Sequence, residues 1–225
     1  MKNNRKALLL VLCAVMMITA SIFGTLAYLT DSEAVANTFT VGAVGISLDE
    51  AKVNQNGEPD GTNRWTPSEQ DPAQEYHLLP GHEYTKDPTV VVDETSESCY
   101  VFVKVENGIV TYEAATETTT NGYKTIADQI IANGWAKLED VEDVDNVYYK
   151  LYTKNEDNTV GDRTMVVFSN FKISGTANTV TGWANITPEN TQVNVTAYAI
   201  QKDGFNTPVD AWTAGNKTVA NGGWN

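Results

Sequence analysis

Two histidines, His77 and His82, are the side chains best suited to hold a metal or move a proton near neutral pH. Both sit in one stretch, His-Leu-Leu-Pro-Gly-His. A zinc hydrolase of the helical kind sets two His one turn apart, with a Glu between them as general base. Here the spacing is five, and Pro80-Gly81 between them breaks any helix. The stretch reads as a solvated turn. Its chemical alternative is a surface metallopeptidase using His77, His82 and an adjacent acid such as Glu83. The sequence contains no Gly-x-Ser-x-Gly elbow, no Gly-rich phosphate loop and no Cys/His pair close together. No catalytic, cofactor-binding or metal-binding residue is therefore assigned.

Two acidic clusters pose the question of calcium. One is Glu139, Asp140, Glu142, Asp143 and Asp145; the other is Glu156, Asp157 and Asp162. Neither keeps the alternating Asp/Asn pattern with a central Gly and a closing Glu that a calcium loop needs. They read as a solvated acidic edge, with weak calcium binding as the alternative. Cys99 has no partner in the chain beyond the leading apolar run, and reads as a small buried apolar side chain.

The elements that carry these residues follow from composition and pattern. The 225 residues are 41% hydrophobic and 20% charged, a globular mixture, with 29 acids against 15 bases and a net charge of −14. The first 27 residues hold three bases (Lys2, Arg5, Lys6) and no acid, so the remainder carries −17. A chain this acidic is repelled by phosphate backbones and anionic lipid, which excludes nucleic acid as a partner.

Met1–Lys6 is basic and Ala7–Ala27 is almost wholly apolar, the form of a signal peptide over residues 1–27. Small residues at Thr25 and Ala27 place cleavage between Ala27 and Tyr28. An uncleaved anchor is the alternative, since 21 apolar residues can span a bilayer. A lipid anchor on Cys13 is rejected because Leu12 precedes it. Contact with the membrane is expected only through this segment, before cleavage, and the product is expected to be secreted.

Beyond it, period-two alternation recurs. Val44, Ile46 and Leu48 share one face; Cys99, Val101, Val103 and Val105 form another, with Lys104 and Glu106 opposite. Val147–Leu151, Met165–Ile173 and Val193–Ala199 follow suit. Only Thr125–Asn133 argues for a helix, with Thr125 as cap and Gly134 as stop; Val209–Ala214 gives a weak turn. Asn54–Gln74 reads as a long polar loop. The expected fold is all-β, mainly antiparallel: a β-sandwich over residues 49–225 with one or two short helices, preceded by an arm and first strand over 28–48.

Three segments carry a resemblance. Gly24-Thr-Leu-Ala-Tyr-Leu-Thr-Asp-Ser-Glu-Ala-Val-Ala-Asn-Thr-Phe-Thr-Val-Gly42, with Gly45-Ile-Ser-Leu after it, resembles the start of the TasA/camelysin family of secreted Gram-positive proteins. Leu79–Pro88 and Thr196–Phe205, with Ala211-Trp212 following, support it. The resemblance implies a jelly-roll sandwich, a dedicated signal peptidase and an extracellular life as a subunit of biofilm matrix fibres. It also implies that the mature N-terminal segment completes a sheet of a neighbouring copy, head to tail. On this sequence the donor would be Phe39, Val41, Val44, Ile46 and Leu48; the alternative is that this strand pairs within its own domain. The camelysin branch implies the metallopeptidase alternative, and a monomeric surface adhesive domain is a third.

Overall fold

The computed structural model describes residues 30–31, 44–67, 73–114, 123–139, 141, 145–154, 163–187 and 190–218. The expected signal segment, the Ala27–Tyr28 junction, Phe39 and Val41 lie outside the described residues, as do Asp140, Glu142, Asp143, Glu156, Asp157 and Asp162.

Eleven strands are described, all paired antiparallel. They are β1 (Thr30–Asp31), β2 (Ile46–Val53), β3 (Pro59–Trp65), β4 (Glu83–Thr85), β5 (Thr89–Val92), β6 (Cys99–Asn107), β7 (Ala136–Lys137), β8 (Val147–Tyr152), β9 (Thr164–Val166), β10 (Asn170–Lys172) and β11 (Val193–Gln201). One sheet has the order β1-β11-β6-β8-β7, the other β3-β2-β5-β9, and β4 pairs with β10. The all-β, mainly antiparallel fold expected from the alternation is what the structure shows.

The two large sheets share one core. Cys99, Val101, Val103 and Val105 of β6 meet Ile46 of β2, Val90 and Val92 of β5 and Met165 of β9 between them. Register explains the pattern: every second side chain of a strand faces one side, so one apolar set closes the interior. The outer face of β6 is buried as well. Tyr100 and Phe102 pack with Tyr198 and Ile200 of β11 under Ala211 and Trp212.

That cover is a helix, α2 (Pro208–Thr218), where the sequence suggested only a weak turn. Its start is over-determined locally. The Thr207 hydroxyl accepts from the Asp210 N–H at 3.1 Å and donates to the Asp210 carboxylate at 2.7 Å, with Pro208 in the first turn. The other helix, α1 (Ile126–Ala132), is where periodicity predicts it. Thr125 caps it by accepting from the Asp128 N–H at 3.2 Å, and Gly134 follows its end with φ +83°.

Two expectations are corrected. Residues 59–65 lie inside the segment read as a loop, yet form β3. As an exposed edge strand it lacks the apolar alternation that reveals buried ones. Residues 46–48 do not belong to a separate arm: Ile46 opposes Val92 and Leu48 opposes Val90 of β5, and the same strand pairs with β3 further along, at Glu50–Val53. Burial enforces this, because Ile46 and Leu48 face the shared core.

Phe102 is fully buried, its ring centre 5.1 Å from that of Trp212. Replacing it by Ala is expected to lower stability by about 3–5 kcal/mol, read as a fall in the urea midpoint at unchanged slope.

Candidate functional site

The histidines are not brought together as a metal site. His77 and His82 are both exposed, and Glu83 beside them is exposed at the start of β4. What organises their loop is Tyr84, which is fully buried. Its hydroxyl donates to the His77 carbonyl at 2.7 Å and accepts from the Leu79 N–H at 2.6 Å, and its ring lies 5.0 Å from that of His82. Among the described residues no three His, Cys, Asp or Glu side chains converge as metal ligands. Glu139 and Asp145, the described members of the acidic clusters, are exposed. Cys99 is a free, buried thiol whose pKa burial pushes up to about 12, in keeping with its reading as an apolar side chain.

The feature with interaction chemistry is a sheet edge. Unpaired strand edges are templates for another chain, and folds normally blunt them. The β3 edge is blunted several times over. Its first residue is Pro59, Gly61 bends it at φ +62°, and its register against β2 slips between Ala51 and Val53. Arg64 on this strand is committed to Asp49 and Asp87, both at 2.6 Å. β9 is three residues long and β7 two.

The β11 edge has none of these devices. Val193–Ile200 reads Val-Asn-Val-Thr-Ala-Tyr-Ala-Ile, without charge, Pro or Gly. On one side all nine residues pair with β6. On the other, among the described strands, only β1 pairs, Thr30 opposite Ile200 and Asp31 opposite Ala199.

The hydrogen-bond phase of this edge follows from its ends. The Gly108 N–H donates to the Gln192 carbonyl at 2.8 Å, and the Lys202 N–H to the Ser98 carbonyl at 2.8 Å. Both are even-numbered positions of the β11 path, and antiparallel partners bond at every second residue. Asn194, Thr196, Tyr198 and Ile200 thus face β6. Val193, Val195, Ala197 and Ala199 turn their N–H and C=O groups outward, and β1 meets the last of them.

A buried carboxylate holds the near end of this edge. Glu113 accepts from the Ile126 N–H at 2.6 Å and from the Asn107 side-chain amide at 3.1 Å, and Asn107 opposes Val193. Burial raises the pKa of Glu113; the two hydrogen bonds pull it down, and Asp128 adds a smaller upward push. Sequence reasoning did not single out Glu113, because an isolated acid carries no periodic signal.

Of the expected donor residues, Phe39 and Val41 lie outside the described residues, and Val44 is half-buried against the shared core. Ile46 and Leu48 are paired at home with β5, so for these two of the five residues the expectation of a donated strand is corrected to the alternative. Among the described residues no helix is long and apolar enough to cross a membrane. No family model, curated protein or solved structure matches the chain.

Replacing Glu113 by Ala strands the Ile126 N–H and the Asn107 amide, and is expected to cost about 1–3 kcal/mol. A carboxyl whose folded pKa lies above its unfolded value adds stability below the ordinary glutamate range and loses it as pH rises through the raised value. The stability difference between wild type and Glu113→Gln, followed by urea unfolding, is therefore expected to shrink with rising pH across that window.

Proposed function

We propose that this chain is an exported structural protein. It is a β-sandwich subunit that joins copies of itself into an extracellular matrix fibre of the TasA/camelysin type. The observation that carries the reading is the β11 edge: a nine-residue strand, uncharged throughout, fully paired with β6 on one side and, among the described residues, paired over two residues on the other. Main-chain groups at Val193, Val195 and Ala197 can accept an added strand, and half-buried Val193 and Val195 can pack its alternate side chains. Donor and acceptor surfaces differ, so the contact repeats without closing. With Ile46 and Leu48 committed to β2, the donated strand must come from chain preceding them.

Removal of the signal segment by a dedicated peptidase after Ala27 frees that preceding chain, and the acidic surface keeps subunits soluble until they meet. The metallopeptidase alternative draws no support from the exposed His77 and His82.

The test is electron microscopy of the purified exported protein. Fibres are expected, and Val195→Pro, which removes an outward N–H without touching the β6 ladder, is expected to abolish them while leaving the circular dichroism spectrum unchanged. Deleting residues 28–43 is expected to stop assembly and spare folding. Extending the deletion through Leu48 removes three of the eight residues of β2, with the buried Ile46, and is expected to unfold the domain. Monomers under every condition of pH and salt would sink the fibre reading.

A further inference from the structure

Lysine and glutamate are seldom buried, and a place where both are calls for a reason. Lys86 and Glu50 expose 12% and 6% of their side chains and meet at 2.7 Å. Stability alone is a weak reason, since apolar residues of like volume pack as well as a buried ion pair. The pair has a third member. Gln74 Nε2 donates to Glu50 Oε1 at 2.7 Å while Lys86 Nζ donates to Oε2 at 2.7 Å. One carboxylate thus holds an amine and a carboxamide side by side.

The carboxamide is fixed in its sense as well as its place. Nε2 also donates to the Ala51 carbonyl at 2.9 Å, and Oε1 accepts from the Val53 N–H at 2.8 Å. Turned over, the amide would set its oxygen against two acceptors and its nitrogen against a donor, so the network admits one orientation. Neighbouring polar groups are committed elsewhere. The Asp87 carboxylate accepts from the Ala51 N–H and from Arg64, and the Tyr76 hydroxyl donates to the Thr85 carbonyl at 3.1 Å.

These are the parts of an acyl transfer: a nucleophile on a base, a leaving nitrogen on the same base, and a carbonyl oxygen under a main-chain donor. We propose that Lys86 and Gln74 join in an intramolecular isopeptide bond, with Glu50 as the proton carrier. Glu50 takes a proton from the Lys86 ammonium. The freed Nζ lone pair adds to Gln74 Cδ, and the C=O π pair moves onto Oε1, where the Val53 N–H meets it. Glu50 then passes its proton to Nε2, the C=O reforms, and the Cδ–Nε2 bond breaks. The departing ammonia takes the second Nζ proton and leaves as ammonium. A side-chain ammonium and a primary amide thus become a secondary amide and an ammonium ion, with no oxidant and no cofactor.

The bond closes a ring over residues 74–86 and locks the turn carrying His77 and His82 around buried Tyr84. Such a ring restricts the unfolded chain as a disulfide does. Cys99, the one cysteine beyond residue 27, cannot supply a disulfide within the same stretch.

Mass spectrometry of tryptic peptides from the purified, folded chain tests the bond. Trypsin cannot cut after an acylated lysine, so the linked chain is expected to give one peptide over residues 65–104, lighter by one ammonia. Lys86→Arg keeps the charge without the nucleophile, and is expected to give two peptides of full mass. The 65–104 stretch contains no asparagine, and its glutamines are Gln70 and Gln74. Gln74→Met is expected to abolish the loss. Glu50→Gln is expected to slow it about a hundredfold at an unchanged circular dichroism spectrum. Full mass with ordinary cleavage after Lys86 in the unsubstituted chain overturns the bond, as does an ammonia loss that survives Gln74→Met. Linkage at an undiminished rate in Glu50→Gln overturns the role of Glu50.

Discussion

The demand that every buried peptide group find a partner is met most completely at β6, and the rest of the molecule is arranged around that strand. Its nine residues pair with β11 on one side, and six of them pair with β8 on the other. Its odd-numbered side chains fill the space between the sheets, and its even-numbered aromatics are roofed by α2. Over Cys99–Lys104, where both edges are paired, the strand's peptide groups find their partners within the sheet. The cost is moved one strand outward. A sheet that is not closed into a barrel has to end, and among the described residues this one ends beyond β11 on β1, which is two residues long.

How a fold treats its edges separates a bystander from a participant. The β2–β3 side carries a proline, a left-handed glycine, a slipped register and an arginine clamped by two aspartates. Behind that clamp, buried Glu50 is held by Lys86 at 2.7 Å and by the Gln74 amide at 2.7 Å, which ties the segment between β3 and β4 to β2. Such buried charges need their partners, so this side of the sandwich is committed to its own chain. Along β11 itself, Val193–Gln201, there is no charged residue. The contrast lies within one molecule, so it is a property of the strands and not of the composition.

What the sequence could disclose follows the physics of each signal. Alternation revealed β6, β8 and β11 because each presents an apolar set to a core, and Thr125 with Gly134 marked α1 because caps are local chemistry. The β3 strand stayed hidden because an exposed edge strand has no buried face to write into its pattern. The helix over Pro208–Thr218 was legible in Thr207-Pro208-Val209-Asp210, a capping box, although its weak amphipathicity drew attention away from it. The assignment of Ile46 and Leu48 could not be made in advance, since an apolar alternating strand reads alike whether its partner lies in the same chain or another. Glu113 was invisible for a further reason: its partners Asn107 and Ile126 are close in space through turns that a linear pattern does not encode.

The burial of Cys99 reaches beyond packing. A thiol fully buried at the first residue of β6, with its ionisation suppressed by that burial, cannot take part in exchange while the chain keeps its shape. Oxidants therefore find no thiolate on the folded chain, whereas unfolding bares the sulfur to disulfide exchange. One hidden atom thus makes a disulfide-linked pair of chains a mark of lost shape.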